Sequence, residues 1–209
     1  MSTVMRPSAR PNSLCRREFL TMLRALSGLV LIAGLPGVIK AEQTKKYGAD
    51  AMAHGWTDNP LAFIVIGEDD VVTIVVNRPE VGQGAHTGMP LIIADELEAD
   101  WSKVRVVQAL ADEAKFGSQD TDGAGSAPHF FEPMRRCGAA ARTMLEQAAA
   151  AHWGVPVSEV RGVNHEVVHS KSGRKLGYGL LAQAAARLSV PPHESLRLKS
   201  VQADVANPT

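Results

Sequence analysis

Ala62-Phe63-Ile64-Val65-Ile66-Gly67-Glu68-Asp69-Asp70-Val71-Val72-Thr73-Ile74-Val75-Val76 is the stretch on which the fold turns. Two β-branched runs flank a Gly-Glu-Asp-Asp turn, so it reads as strand, turn and strand. Beyond it, Asn77 to Thr87 is a loop, and an apolar helix runs from about Met89 to Glu98 with Pro90 tolerated in its first turn. Val104-Arg105-Val106-Val107-Gln108 reads as a further strand, and the stretch from there to Phe130, rich in Gly, Asp and Ser, as a long loop of the kind that is either functional or disordered. The strongest helical pattern covers Glu132 to His152, with Met134, Cys137, Ala141, Leu145 and Ala148 on one face. Short strands at Val160–Val163 and Glu166–His169, and a helix over Tyr178–Leu188, complete the pattern. Alternating small β and α units predict an α+β body: a small mixed sheet with packed helices.

The 209 residues are 45% hydrophobic and 21% charged, which is globular composition rather than that of a disordered chain. Lys and Arg number 22, equal to Asp and Glu. The balance hides an asymmetry, because the first 41 residues hold six basic side chains and the single acid Glu18. The remaining 16 basic and 21 acidic residues form a mildly acidic body without a basic run, which argues against a nucleic-acid partner. Two cysteines, Cys15 and Cys137, make neither a disulfide framework nor a C-x-x-C pair.

Residues 1–41 read as an export signal: Cys15-Arg16-Arg17-Glu18-Phe19-Leu20 precedes a moderately apolar run from Ala25 to Leu35. The adjacent arginines before Phe-Leu resemble the twin-arginine signal of proteins exported already folded. The expected location is the periplasm, with attachment to the inner membrane as a variant if the signal stays uncleaved. Residues 42–59 read as a linker, 60–190 as the folded segment and 191–209 as a polar tail.

Two loops could carry chemistry. Gly82-Gln83-Gly84 lies between a strand and a helix, where bare backbone N–H groups and the helix start favour an anion such as a pyrophosphate. It is not the dinucleotide fingerprint, since Thr87 occupies the place of the third glycine, and no Gly-Lys-Ser/Thr makes it a P-loop. Asp122-Gly123-Ala124-Gly125-Ser126-Ala127 also precedes a helix, and the two loops could converge on one ligand; a plain turn and a surface loop are the alternatives. His165 and His169 would share one face of a strand, without a third ligand at zinc-like spacing. No residue stands in a nucleophile motif, and Cys137 reads as a small buried hydrophobe.

From Pro79-Glu80-Val81-Gly82-Gln83-Gly84-Ala85-His86-Thr87 onward the chain resembles the molybdopterin-binding large subunit of the xanthine dehydrogenase family. The similarity continues through Ile92 to Val104 and Phe131 to Arg142, and resumes at Trp153-Gly154-Val155-Pro156 and Gly173 to Tyr178. With the twin-arginine signal in front, the order resembles the isoquinoline 1-oxidoreductase beta-subunit branch, which includes membrane-associated aldehyde dehydrogenases. The resemblance implies part of a larger molybdopterin-binding domain, holding a molybdenum–pterin dinucleotide and oxidising an aldehyde or N-heterocycle with oxygen from water. It implies partners too: a small subunit carrying [2Fe–2S], and often a cytochrome c. Carried over by position, Gly82, Gln83 and Gly84 would lie along the cofactor, and Gly123, Gly125 and Ser126 would border the molybdenum pocket. That second loop is a residue shorter than the family's pattern. Relatives continue far beyond this length and supply the general base there, so the expectation is an N-terminal portion incomplete as a catalyst alone. The competing expectation is a non-catalytic periplasmic binding module or a truncated relic.

Overall fold

The computed structural model describes residue 55 and residues 57–121 and 123–200. The expected signal, Cys15 and most of the linker lie outside these residues. Asn59 opens the body by capping a short helix, α1 (Pro60–Phe63): its side chain accepts from the Leu61 N–H at 3.0 Å, and Pro60 fits the first turn. Ala62 and Phe63 are therefore helical rather than the start of a strand. A local cap and a proline at the helix start outweigh the β preference of the residues that follow.

Strands β1 (Ile64–Ile66) and β2 (Val72–Val76) pair antiparallel around the predicted turn. Ile64, Ile66, Val72, Ile74 and Val76 alternate onto the buried face. From β2 the chain passes through helix α2 (Ala85–Leu97) to β3 (Val104–Gln108), which lies parallel to β2. This is a β-α-β unit, and its geometry sets the loops after β2 and β3 at the same end of the sheet. A short helix α3 (Glu113–Phe116) follows, and then the 28-residue helix α4 (Ser126–Trp153). Helix α4 begins six residues before the apolar periodicity does, so the long loop ends at Gly125 and not at Phe130. Strands β4 (Val160–Val163), β5 (Glu166–His169) and β6 (Lys175–Gly177) form a separate antiparallel sheet, and helix α5 (Tyr178–Ala185) closes the body.

The α+β class thus holds, with a mixed three-stranded sheet and a second, antiparallel one. Helix α4 spans the body, packing on α2, β4 and α5. A Cβ at Gly138 would lie 2.5 Å from the Ile93 carbonyl oxygen, so the α2–α4 crossing requires glycine there. The buried face of α4 carries Met134, Cys137, Ala141, Leu145 and Ala148, as the periodicity predicts. Burial pushes the Cys137 thiol pKa well up, in keeping with a hydrophobic role. Among the described residues, no helix is long and apolar enough to cross a membrane.

The segment read as a tail is docked as far as Ser200. Glu96, 1% exposed, pairs with Arg135 at 2.6 Å and accepts from the Lys199 N–H at 3.1 Å. Arg135 also donates to the Lys199 carbonyl, and Arg142 to the carbonyls of Glu96 and Arg197. Buried Glu146 meets Arg197 at 2.7 Å and the Gly162 N–H at 2.9 Å. Side chains of α2 and α4 therefore hold this segment's backbone through charge-assisted bonds.

Candidate functional site

The two glycine loops meet at the carboxyl ends of β2 and β3, the end at which parallel sheets hold their ligands. Their junction is Arg78, 1% exposed. The alternation that buries Val72, Ile74 and Val76 carries one step beyond the strand and turns Arg78 inward as well. Its guanidinium donates to the Ser118 carbonyl at 3.1 Å, to Ser118 Oγ at 3.2 Å and to Ser126 Oγ at 3.2 Å, and lies over the Phe130 ring. Asn77 adds bonds to the Phe116 and Ser118 carbonyls, and Thr121 Oγ1 donates to the Pro79 carbonyl at 2.9 Å. The first loop is thus bound to the second across more than forty residues of chain.

Within the first loop, Gly82 and Gly84 have φ of 99° and 84°, the left-handed region that glycine enters without strain. The N–H groups of Gly82, Gly84 and His86 all donate to the Glu80 carboxylate, at 2.7, 3.0 and 3.0 Å. Bonds from the His86 and Gly84 N–H groups, with that of Gly82, hold the Glu80 carboxyl below its ordinary range. The expected anion cradle is therefore filled from within: the side chain two residues before Gly82 already satisfies the donors that a pyrophosphate would need. Gln83 is turned onto its own loop, with Oε1 accepting from the Val81 N–H at 2.7 Å and Nε2 donating to the Pro79 carbonyl at 2.8 Å. His86, in the first turn of α2, meets Gln108 at the end of β3 at 2.6 Å.

The predicted site residues consequently differ in accessibility. No neighbouring side chain or loop stands within 4 Å of where a Cβ on Gly82, Gly84 or Gly123 would lie. Gly125 is covered by the His129 ring, and Ser126 is 7% exposed with its hydroxyl taken by Arg78. What the site presents to solvent is a bare glycine backbone and the exposed Gln83 side chain, whose amide is bonded at both ends within its own loop. The open backbone leaves room for a flat polar ring such as a pterin to approach, whereas the amide donors of the first loop do not fit a phosphate while Glu80 holds them. Sequence reasoning missed Arg78, Glu80, Ser118 and Thr121; the strand's period-2 pattern, extended by one step, would have found Arg78.

The two histidines do not share a strand face. His165 sits in the β4–β5 turn with positive φ, accepts the Asp100 N–H at Nδ1 at 3.1 Å and donates from Nε2 to the Asp70 carbonyl at 2.8 Å, stacked on Tyr178. These partners fix the neutral tautomer with its proton on Nε2. His169 instead pairs with Glu159 and Ser172. Among the described residues, no group of three or more His, Cys, Asp or Glu side chains could hold a metal ion.

Residues 37–205 match the molybdopterin cofactor-binding domain family, and the chain belongs to that family. The isoquinoline 1-oxidoreductase subunit beta of Brevundimonas diminuta is 32% identical over 213 residues, covering 97% of this chain and 26% of that protein. The membrane-bound aldehyde dehydrogenase (pyrroloquinoline-quinone) of Gluconacetobacter polyoxogenes is 31% identical over 140 residues, covering 66% of this chain and 18% of that one. The chain therefore spans about a quarter or less of the length of these relatives. Among solved structures, quinoline 2-oxidoreductase from Pseudomonas putida 86 superposes with a TM-score of 0.46 at 16% identity, over 58% of this chain and 15% of that one.

Proposed function

We propose that this chain is the N-terminal portion of an exported molybdenum hydroxylase large subunit. Its role there is to supply one wall of the cofactor site. The observation that carries the reading is the pair of glycine loops locked together by Arg78 at the carboxyl ends of β2 and β3, in a chain of the molybdopterin-binding family. The group these loops would hold is a molybdenum–pterin dinucleotide, which when bound would supply two-electron oxidation of an aldehyde or N-heterocycle with oxygen taken from water.

On this reading the chain's own residues bind and orient. Gly82 and Gly84 let the cofactor ring approach the backbone, and Gln83 offers its amide to the ring edge. Gly123 lies open on the second loop, while Gly125 and Ser126 shape that loop from beneath. No residue of the chain is assigned as acid, base or nucleophile. Proton transfer would fall to the remainder of the subunit, and electrons would leave through a small [2Fe–2S] subunit, with or without a cytochrome c beyond it. Arg16 and Arg17 direct export to the periplasm, with attachment to the inner membrane where the signal is retained.

The test is to purify the complex formed by the tagged full chain in its host and measure molybdenum, iron and released pterin phosphate. Molybdenum near one equivalent with iron from a second polypeptide is the expected result. A folded, monomeric product that binds neither metal nor pterin would overturn it in favour of a non-catalytic periplasmic module.

A further inference from the structure

The first loop has two internal acceptors with different reach. Glu80 takes three backbone N–H groups on both sides of Gln83, whereas Gln83 takes a single N–H, that of Val81, and gives its amide to Pro79. The two sets share no donor. Gln83 is exposed and held by two neutral bonds, while Glu80 makes three charge-assisted ones, the stronger kind.

We propose that Glu80 is the positioning residue of this site: its carboxylate fixes the backbone around Gln83, so that the Gln83 amide can leave its loop bonds and turn to the cofactor without the loop losing its shape. This rests on the molybdopterin reading for the group that Gln83 serves. Among the described residues, His86 is the charged or titratable side chain that bears on Glu80, and its ring is bonded in turn to Gln108. Glu80 acts through the backbone and is not itself a catalytic residue.

Amide hydrogen exchange on the cofactor-free full chain tests this. In Gln83→Ala, exchange at Val81 should quicken at least tenfold, while Gly82, Gly84 and His86 stay within twofold of the parent. In Glu80→Ala these three should quicken together at least tenfold, with the amides of β5 unchanged as a control for global folding. Glu80→Asp should restore part of the protection and Glu80→Gln less. In the parent, amide chemical shifts of Gly82, Gly84 and His86 should titrate with one shared midpoint below the ordinary glutamate range, and Glu80→Gln should abolish that titration. A structural role spread over the loop would give no such shared titration. Loosening of all four amides by Gln83→Ala, or an unchanged trio in Glu80→Ala, would overturn the proposal. No cofactor enters the measurement, so a complex lacking molybdenum would sink the functional reading and leave the role of Glu80 in the frame intact.

Discussion

Arg78 Nε donates to the hydroxyl of Ser126, 48 residues further along the chain, at 3.2 Å, and the same guanidinium holds Ser118. One buried side chain thereby sets the spacing between the loop that opens α2 and the loop that opens α4. Arg78→Met keeps the bulk but takes the donor from the Ser118 and Ser126 hydroxyls and leaves the Ser118 carbonyl to Asn77 alone, and a buried group left without a partner costs about 1–3 kcal/mol. Urea denaturation should show a loss of about 2–4 kcal/mol, with Arg78→Lys in between; a variant as stable as the parent would contradict the clamp.

Gly138 is the contact point of α2 and α4. Gly138→Ala would force its methyl to within 2.5 Å of a backbone oxygen that cannot rotate away, so the helices must separate. The expected cost is about 1–3 kcal/mol despite the better helix propensity of alanine. Thermal unfolding of this variant beside Gly88→Ala, which has open space on the same helix pair, isolates the clash from propensity.

Glu96 is buried against Arg135 and Arg142 and holds the Lys199 backbone. Glu96→Ala leaves two partly buried guanidinium groups without their carboxylate, and removal of one partner from such a network costs about 3–5 kcal/mol. Proteolysis should then cut first in residues 191–200, before the helices. Equal resistance in parent and variant would mean that the segment is held by other contacts.

Asp70 joins the β1–β2 turn to α5 by accepting the Gly179 N–H at 2.7 Å and pairing with Lys103 at 3.1 Å. Burial pushes its carboxyl up, but the Gly179 bond and Lys103 outweigh that and hold it below the ordinary 3.8. A depressed folded value means that the contribution is complete above the unfolded value and is lost as pH falls through the folded one. Stability should therefore fall on acidification below about pH 4, with a shallower fall in Asp70→Asn. Parallel pH curves for the two proteins would exclude Asp70 as a source of acid sensitivity.

The sequence by itself determined the β1–turn–β2 hairpin, the periodic core of α4, the two glycine loops and the family resemblance, because period, turn chemistry and motif order are local properties of a chain. Beside the one mixed sheet it predicts stands a second, antiparallel sheet, which it did not show because pairing between segments is not written in either segment. It placed the start of α4 at Glu132 because the first turn, Ser126 to Phe131, carries little apolar periodicity and is fixed instead by Arg78 on Ser126 and by Phe130 in the core. The N–H groups around Gly82 and Gly84 do converge, as an anion cradle requires. Only the tertiary structure decided that the anion is Glu80, that Arg78 joins two loops forty residues apart, and that the segment to Ser200 is fastened to α2 and α4. Each of these depends on a charged side chain reaching a particular backbone group, and only the folded backbone sets where that group lies.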